Sequence, residues 1–328
     1  MRPFPAIYST LSPGALAVLL SEKYGLQNVH CKLLVRGVGD TYLVESSSER
    51  FILRIYHAVH RSLPQILEEL HLLLELKQAK VAVAYPLHDH SGAIVQALNA
   101  VEGTRYAALF IYAPGSVARL LNENQLRNLG REMARFHRVS STMTPGNSRW
   151  NFNLDTTLFR PLEMLKPVFA EDPESYTWLK EAAKEVKTML ACLDTSQFST
   201  GYCHFDFLPK NLHFEGDAVT IFDFDFMGHG WTVNDVMTFW QHLQLGVYTG
   251  RMTQKAADDS FAIFLDAYRQ LHPLSEQELA AIPYLSLGFW LFYMGFHTTH
   301  DQFYPFLQPQ HLKFYTGLLR RLSEKFWD

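Results

Sequence analysis

The sequence predicts an α+β fold in two parts, a β-rich first third with one main helix and a mostly helical remainder. Short apolar runs bounded by turn residues dominate up to residue 112, and apolar residues at helical spacing dominate beyond it. The pair Pro114-Gly115 interrupts the chain between the two patterns. A chain of 328 residues is also long for one average domain. We therefore expect two lobes, residues 1–112 and residues 113–328.

The first part starts with a helical stretch and continues into three strand candidates in CKLLVRGVGDTYLVESSSERFILRIY. A Gly-containing turn and a polar turn separate these candidates, which we place at 33–35, 42–45 and 51–56. Leucines and isoleucine recur at helical spacing in LPQILEELHLLLELKQA, which predicts the main helix of this part. The runs VAVAYPL, AIVQAL and YAALFIY predict three further strands.

The second part is dominated by helical patterns. In NENQLRNLGREMARFHRVS, apolar residues line one face, and Asn122 or Asn124 is placed to cap the start. Helix-like stretches also cover residues 160–193, 255–272, 281–299 and 310–327. The one clear β feature that we expect here is a hairpin within residues 204–225.

Composition narrows the kinds of binding partner and the cellular location that we expect. The formal net charge is −4, which offers no basic field for nucleic acid. Three Cys without CxxC spacing make a disulfide framework or structural zinc site improbable and favour a cytoplasmic location. The start of the chain does not resemble a signal peptide, and the apolar run at 282–296 is shorter than the roughly 20 residues that span a bilayer. We expect that run to be a buried helix and expect no membrane partner.

The stretch HFDFLPKNLHFEGDAVTIFDFD, residues 204–225, places many ionisable groups among apolar residues. Its runs NLHF and AVTIFDF predict two strands joined by a tight turn at Gly216-Asp217. In that register Asn211 lies opposite Phe222 and close to Asp223, and directly opposed residues are about 5 Å apart. Both side chains would then be able to share one cation.

The acidic residues of this hairpin are expected to be functional. Asp223 and Asp225 would share a strand face with Val219 and Ile221, and a carboxylate on a buried face is unfavourable unless it is paired or bound to metal. Asp206 falls in the loop that leads into the hairpin. An amide oxygen with nearby carboxylates is the hard-oxygen set that Mg²⁺ prefers, and Mg²⁺ commonly accompanies phosphates.

HFDFLPKN has the form H-x-D-x-x-x-x-N and is followed by IFDFD. This pattern resembles the catalytic loop and metal-binding Asp of the protein-kinase-like fold, in the variant of the aminoglycoside phosphotransferase, choline kinase and type II homoserine kinase superfamily. Phe205 replaces the Arg of the protein-kinase sequence H-R-D. The resemblance implies ATP bound between the two lobes, Asp206 as acceptor of the substrate proton, and Asn211 and Asp223 as ligands of Mg²⁺.

The same resemblance suggests the nucleotide-binding residues of the first lobe. Gly37 and Gly39 look like a reduced nucleotide-covering loop. Arg54, in FILRIY, matches the strand lysine that contacts the α- and β-phosphates. Glu69 is the best match to the helix glutamate that pairs with this cation, with Glu68 as the alternative.

Several other polar residues are expected to support the site. His204 would brace the loop through hydrogen bonds rather than transfer protons, and Asp225 would assist nearby. His137 would be a packed or hydrogen-bonded core residue, and Asp235 would cap the following helix or brace the site. The cluster His297, His300 and Asp301 is expected to form a polar helix end, with a role at the acceptor pocket as the alternative.

The sequence thus predicts an ATP- and Mg²⁺-dependent phosphotransferase that acts on a hydroxyl of a small molecule. An amino alcohol, a homoserine-like compound, a sugar or an aminoglycoside-like compound would serve as acceptor. A protein Ser/Thr kinase of the bacterial stress-response type and a nucleotide-binding pseudokinase are alternatives. An iron oxygenase built on His204 and Asp206 is a weaker one, since it leaves Asn211 and Asp223 unexplained. Oligomeric state stays open.

Overall fold

A computed structural model of the chain describes residues 4–47, 49–57 and 59–327. The described residues fall into two units. The first contains the residues up to Pro114 together with Thr220–Phe222, and the second contains Gly115–Val219 and the residues from Asp223 onward.

The first unit is built on a five-stranded sheet in the order β1-β2-β3-β5-β4, with antiparallel pairing throughout. Its strands are β1 (His30–Arg36), β2 (Gly39–Glu45), β3 (Arg50–Tyr56), β4 (Gln96–Ala100) and β5 (Gly103–Ile111). Two helices accompany them, α1 (Pro13–Tyr24) and α2 (Leu63–Gln78). Alternate residues of β2 and β3, such as Tyr42 and Leu53, pack with Leu16 and Leu20 of α1 in a buried apolar core.

One strand prediction in this unit, at 81–87, is wrong, and another, at 93–98, is confirmed only in part. The run at 81–87 makes only isolated bridges, from Val83 to Ile221 and from Pro86 to Phe110. Pro86 has no N–H to donate to a ladder, which limits a regular strand here. The run at 93–98 starts its strand only at Gln96, because Asp89 holds the preceding loop by accepting hydrogen bonds from the backbone N–H groups of Ser91 and Ala93.

The second unit is mostly helical, as the sequence predicts. Its α-helices are α3 (Glu123–Ser140), α4 (Arg160–Leu165), α5 (Pro173–Ala191), α6 (Val233–Tyr248), α7 (Gln254–Arg269), α8 (Glu276–His297) and α9 (Pro309–Phe326). Asn122 is the residue that caps α3, since its side chain accepts a hydrogen bond from the backbone N–H of Gln125. Helix α8 packs against α4, α5, α6 and α9.

Helix α8 is also the one described helix that is long and apolar enough to cross a membrane. In its most apolar window, 78% of the residues are buried inside the protein. The apolar run at 282–296 lies within this helix.

The second unit contains more β-structure than the expected hairpin. The hairpin strands are β8 (Leu212–Glu215) and β9 (Ala218–Ile221), and a separate sheet in the order β6-β10-β7 joins β6 (Trp150–Phe152), β7 (Thr200–Cys203) and β10 (Gly228–Trp231). The prediction of a single β feature is therefore wrong. These strands are only three or four residues long, and β10 begins with Gly-His-Gly. A Cβ on Gly228 would lie 2.6 Å from the carbonyl oxygen of Trp150. The close approach of the two strands therefore requires glycine here, although glycine in a sequence usually indicates a loop.

Candidate active site

The loop that begins at His204 is held in an unusual backbone conformation. It follows β7, and His204 through Phe207 are all buried. Phe205 has φ of 61°, in the left-handed region that residues with a Cβ rarely adopt. The backbone N–H groups of His204 and Phe205 donate to Asp235 Oδ2 and Oδ1 at 2.8 and 2.6 Å. His204 Nδ1 accepts a hydrogen bond of 3.2 Å from the backbone N–H of Asp206. The Asp235 carboxylate and the His204 ring thus fix this loop by accepting hydrogen bonds from its backbone.

Asp235 belongs to a buried chain of hydrogen bonds. It is the third residue of α6, so it does not cap that helix, and the N-cap position belongs to Thr232. Its Oδ2 lies 3.0 Å from His137 Nε2, and His137 Nδ1 lies 2.7 Å from the Tyr268 hydroxyl. A neutral His137 that donates from Nε2 to the carboxylate is able to accept from Tyr268 at Nδ1. Helices α3 and α7 are thereby connected to the loop.

The Asp206 carboxylate has one anchored oxygen and one open oxygen. Asp206 is 3% exposed. Its Oδ2 accepts from Lys210 Nζ at 2.8 Å and from Asn211 Nδ2 at 2.9 Å. Its Oδ1 is buried and has no hydrogen-bond partner among the described residues. Burial raises the pKa of the Asp206 carboxyl, and the positive charge of Lys210 opposes that effect.

Asp223 lies beyond the hairpin and not on its strand face. Strand β9 ends at Ile221, and Asp223 has φ of 61° and ψ of 65° just before a 3₁₀ turn, Phe224–Phe226. The prediction that Asp223 and Asp225 continue the face of Val219 and Ile221 is therefore wrong. Asp223 is exposed, whereas Asp225 is 2% exposed.

The predicted pairing of Asn211 with Phe222 is wrong for the same reason. The strands stop at Leu212 and Ile221, and Asn211 closes a 3₁₀ turn instead. Even so, Asp223 lies close enough to Asp206 for its negative charge to raise the pKa of that carboxyl. The turn that follows Asp223 is held by Arg149, whose Nη2 donates to the carbonyl oxygen of Phe224 at 3.1 Å.

The residues present fit Mg²⁺ by the chemistry of their donors. Asn211 Nδ2 donates to both the carbonyl oxygen and Oδ2 of Asp206 at 2.9 Å, which leaves the amide oxygen as the atom that would ligate a cation. The described residues contain no group of three or more His, Cys, Asp or Glu that could hold a metal ion. A site with one amide and one or two carboxylates suits Mg²⁺, which usually takes remaining ligands from water and phosphate.

The nucleotide-binding candidates of the first unit occupy its sheet and α2. Gly37 and Val38 form the turn between β1 and β2, and Gly39 begins β2. Arg54 is half-buried in the middle of β3, and its guanidinium carbon lies 5.4 Å from the centroid of the Tyr56 ring. Glu69 is 1% exposed, whereas Glu68 is half-buried. Because a buried carboxylate requires a partner, Glu69 is the better candidate for an ion pair.

Lys210 and Tyr293 were missed by reasoning from the sequence. Lys210 Nζ donates to the Tyr293 hydroxyl at 3.0 Å, so α8 contributes to the surroundings of Asp206. The signal available was the position of Lys210, four residues after Asp206. Tyr293 gave no signal, because its helix has apolar residues on every side.

The cluster near the end of α8 divides in the structure. His297 is 4% exposed within the helix, and its ring centroid lies 4.8 Å from that of Tyr293. His300 and Asp301 lie beyond the helix end. The three residues therefore do not act as one polar cap.

Comparisons with known proteins agree with this arrangement of loop, hairpin and helices. Residues 30–274 match the family model described as the phosphotransferase enzyme family, APH. An uncharacterized protein of Deinococcus radiodurans is 34% identical over 299 residues, which cover 90% of this chain and 84% of that protein. A homoserine kinase of Paramagnetospirillum magneticum is 27% identical over 290 residues, covering 86% of this chain and 85% of that protein.

A solved structure of amicoumacin kinase hAmiN has the same fold. It superposes with a TM-score of 0.75 at 21% identity, covering 96% of this chain and 94% of that one. The fold is thus kinase-like, with a five-stranded antiparallel sheet and one main helix followed by a mostly helical part. The chain belongs to the APH phosphotransferase family.

Proposed function

We propose that this chain transfers the γ-phosphoryl group of ATP, with Mg²⁺, to a hydroxyl of a small-molecule acceptor. The observation that carries the proposal is the Asp206 carboxylate, with Oδ2 anchored and Oδ1 buried without a partner among the described residues. The homoserine kinase relative supports an alcohol acceptor, and the hAmiN structure, solved with AMP-PNP and Ca²⁺, supports nucleotide and a divalent cation.

Each site residue has a distinct task in this proposal. Asp206 Oδ1 accepts the proton of the acceptor hydroxyl and aligns that oxygen for in-line attack. Asn211 and Asp223 would hold Mg²⁺, which supplies charge neutralisation on the phosphates. Asp235 keeps the loop in place, and catalysis comes mainly from positioning and charge stabilisation.

The first unit contributes residues for the nucleotide. Arg54 contacts the phosphates in the place of a lysine, with Glu69 orienting it. Arg and Lys are not equivalent, since the planar guanidinium binds phosphate in a forked geometry. Gly37 and Gly39 allow the backbone of the β1–β2 turn to approach the nucleotide.

A small-molecule acceptor is favoured over a protein acceptor. Only residues 224–232 separate Asp223 from α6, and β10 takes four of them. This segment is too short for a long activation loop that would dock a peptide. The family membership also leaves no support for the iron-oxygenase alternative.

The test is an ADP-release screen with Mg-ATP against amino alcohols, homoserine, sugars, aminoglycosides and generic protein substrates. We expect turnover with a small alcohol, and we expect Asp206→Asn to reduce kcat about 10²- to 10⁴-fold, the usual contribution of a general base. The control is Asp266→Asn, a carboxylate that is 67% exposed on α7. Near-normal turnover by Asp206→Asn would show the assignment to be wrong. Tight Mg-ATP binding without turnover of any acceptor would favour a pseudokinase.

A further inference from the structure

Lys210 places a positive charge directly beside the proposed base. Its side chain is 52% exposed, and its Nζ lies 2.8 Å from Asp206 Oδ2 and 3.0 Å from the Tyr293 hydroxyl. A lysine ammonium has three N–H donors. Two therefore have acceptors among the described residues, and the exposed side of the ammonium is left for a bound molecule.

The same ammonium lies at the hydroxyl end of the Tyr293 ring. Lys210 Nζ lies 5.5 Å from the centroid of the Tyr293 ring and 3.0 Å from its hydroxyl oxygen, so it contacts the hydroxyl edge of the ring. An ammonium group of an acceptor would have to displace it or accept its repulsion. Two like charges in contact repel each other, and they do so more strongly near a protein surface than in bulk water. A cationic acceptor is thus disfavoured at this position.

His297 provides a second, independent observation. It lies one turn after Tyr293 on α8, is 4% exposed, and its Nδ1 is buried without a hydrogen-bond partner among the described residues. Burial, with a contribution from the positive charge of Lys210, lowers the pKa of His297 to about 4. At neutral pH the ring is therefore uncharged and offers hydrogen bonding without a second positive charge. A buried polar atom without a partner is unfavourable, and a ligand that bonds to it would relieve that penalty.

We propose that Lys210, Tyr293 and His297 form the acceptor subsite beside Asp206, and that this subsite takes a carboxylate carried by the acceptor. The inference rests on the proposed phosphotransferase function and names its substrate class, a short hydroxy acid. The hydroxyl and the carboxylate are a few carbons apart, because the groups that receive them, Asp206 and Lys210, are in direct contact. In the transfer, the hydroxyl oxygen bonds to the γ-phosphorus and its proton passes to Asp206. The bond from that phosphorus to the β–γ bridging oxygen breaks, and ADP leaves with the electron pair.

The test uses three alcohols of similar length that differ in terminal charge: 4-hydroxybutyrate, 4-amino-1-butanol and 1,4-butanediol. Two readouts are taken, ADP release with Mg-ATP and ligand-observed NMR binding in the presence of Mg²⁺ and a non-hydrolysable ATP analogue. We expect 4-hydroxybutyrate to be preferred by about tenfold or more, equivalent to about 1.4 kcal/mol. Lys210→Met should remove this preference mainly through KM, and Lys210→Arg should retain part of it.

The matched control is Lys255→Met, since Lys255 also pairs with an Asp four residues away but is 84% exposed on α7. Preference for the amine or the diol, or a carboxylate preference that survives in Lys210→Met, would overturn the inference. If the protein turns over any other acceptor, the phosphotransferase proposal stands even when one of these two results overturns the carboxylate inference. The NMR arm decides the carboxylate preference even if no acceptor is turned over, and absence of all turnover would count against the proposed function alone.

Discussion

At the level of single residues, the site depends on backbone conformations that residues with a Cβ rarely adopt. Phe205 directly precedes Asp206 and has φ of 61°, and Asp223 has the same φ. Such conformations are unfavourable by about 1–3 kcal/mol each and persist where the surroundings fix them. For Phe205 the fixing contacts are the two hydrogen bonds to Asp235 and the stacking of its ring on Phe152, with centroids 3.8 Å apart.

Asp235→Asn should therefore destabilise the fold and lower activity together. Asp235 Oδ2 accepts from the His204 N–H and lies 3.0 Å from His137 Nε2, and Oδ1 accepts from the Phe205 N–H. An amide has a single, neutral acceptor oxygen, so at least one of these donors loses its acceptor in a fully buried position. We expect the free energy of unfolding to fall by about 2–3 kcal/mol. Urea denaturation measures the loss, and kcat in the ADP-release assay should fall with it.

The control Asp259→Asn removes an exposed partner of Lys255 and should change the free energy of unfolding by less than about 0.5 kcal/mol. Equal stability of Asp235→Asn and wild type would show that the loop does not need this carboxylate.

At the level of elements, the sequence predicted the parts whose patterns are local. Strands β1 to β3 and helices α2, α3, α7, α8 and α9 lie where alternation or helical spacing placed them. The tight turn at Gly216-Asp217 was also predicted, because β8 ends at Glu215 and β9 begins at Ala218. The elements that the sequence did not predict depend on pairing with residues far away in the chain. Strand β10 pairs with β6 and β7, which are far away in sequence, and its glycines give no strand signal.

The site, like the fold, could be predicted where its pattern is local and not where it depends on contacts between distant residues. The spacing of His204, Asp206 and Asn211 was visible as a motif in one stretch of chain. The contact of Tyr293 with Lys210 spans 83 residues, and no local pattern marks it. The left-handed conformation of Asp223 was also hidden, since the apolar alternation on either side of it suggested a continuous strand.

The contact of α3 with α7 is the element-level feature that supports His137 and Tyr268. Gly130 on α3 faces α7, and a Cβ there would overlap the carbonyl oxygen of Phe264. Gly130→Ala should therefore destabilise the protein by about 1–3 kcal/mol, the usual result of overpacking, despite the better helix propensity of alanine. Gly14→Ala on α1 is the matched control, because a Cβ there would meet only the hydroxyl oxygen of Ser12, at 3.9 Å. That variant should be neutral or more stable by up to about 1 kcal/mol. Urea denaturation of both proteins makes the comparison, and equal effects would rule out the close helix contact as the cause.

At the level of the whole molecule, Mg²⁺ and nucleotide should stabilise the protein together. A ligand at 100 times its Kd stabilises the native state by about 2.7 kcal/mol, which for a chain of this size raises Tm by about 4 °C. Asp223→Ala should lose most of this shift because the cation loses its proposed carboxylate ligand. Asp206→Asn should retain the shift, since its proposed task is with the acceptor. Asp259→Ala, on the exposed face of α7, should also retain it. Thermal melts with ATP alone, Mg²⁺ alone, both, and both plus EDTA separate the contributions. A full Mg-ATP shift in Asp223→Ala would refute the proposed role of this residue as a metal ligand.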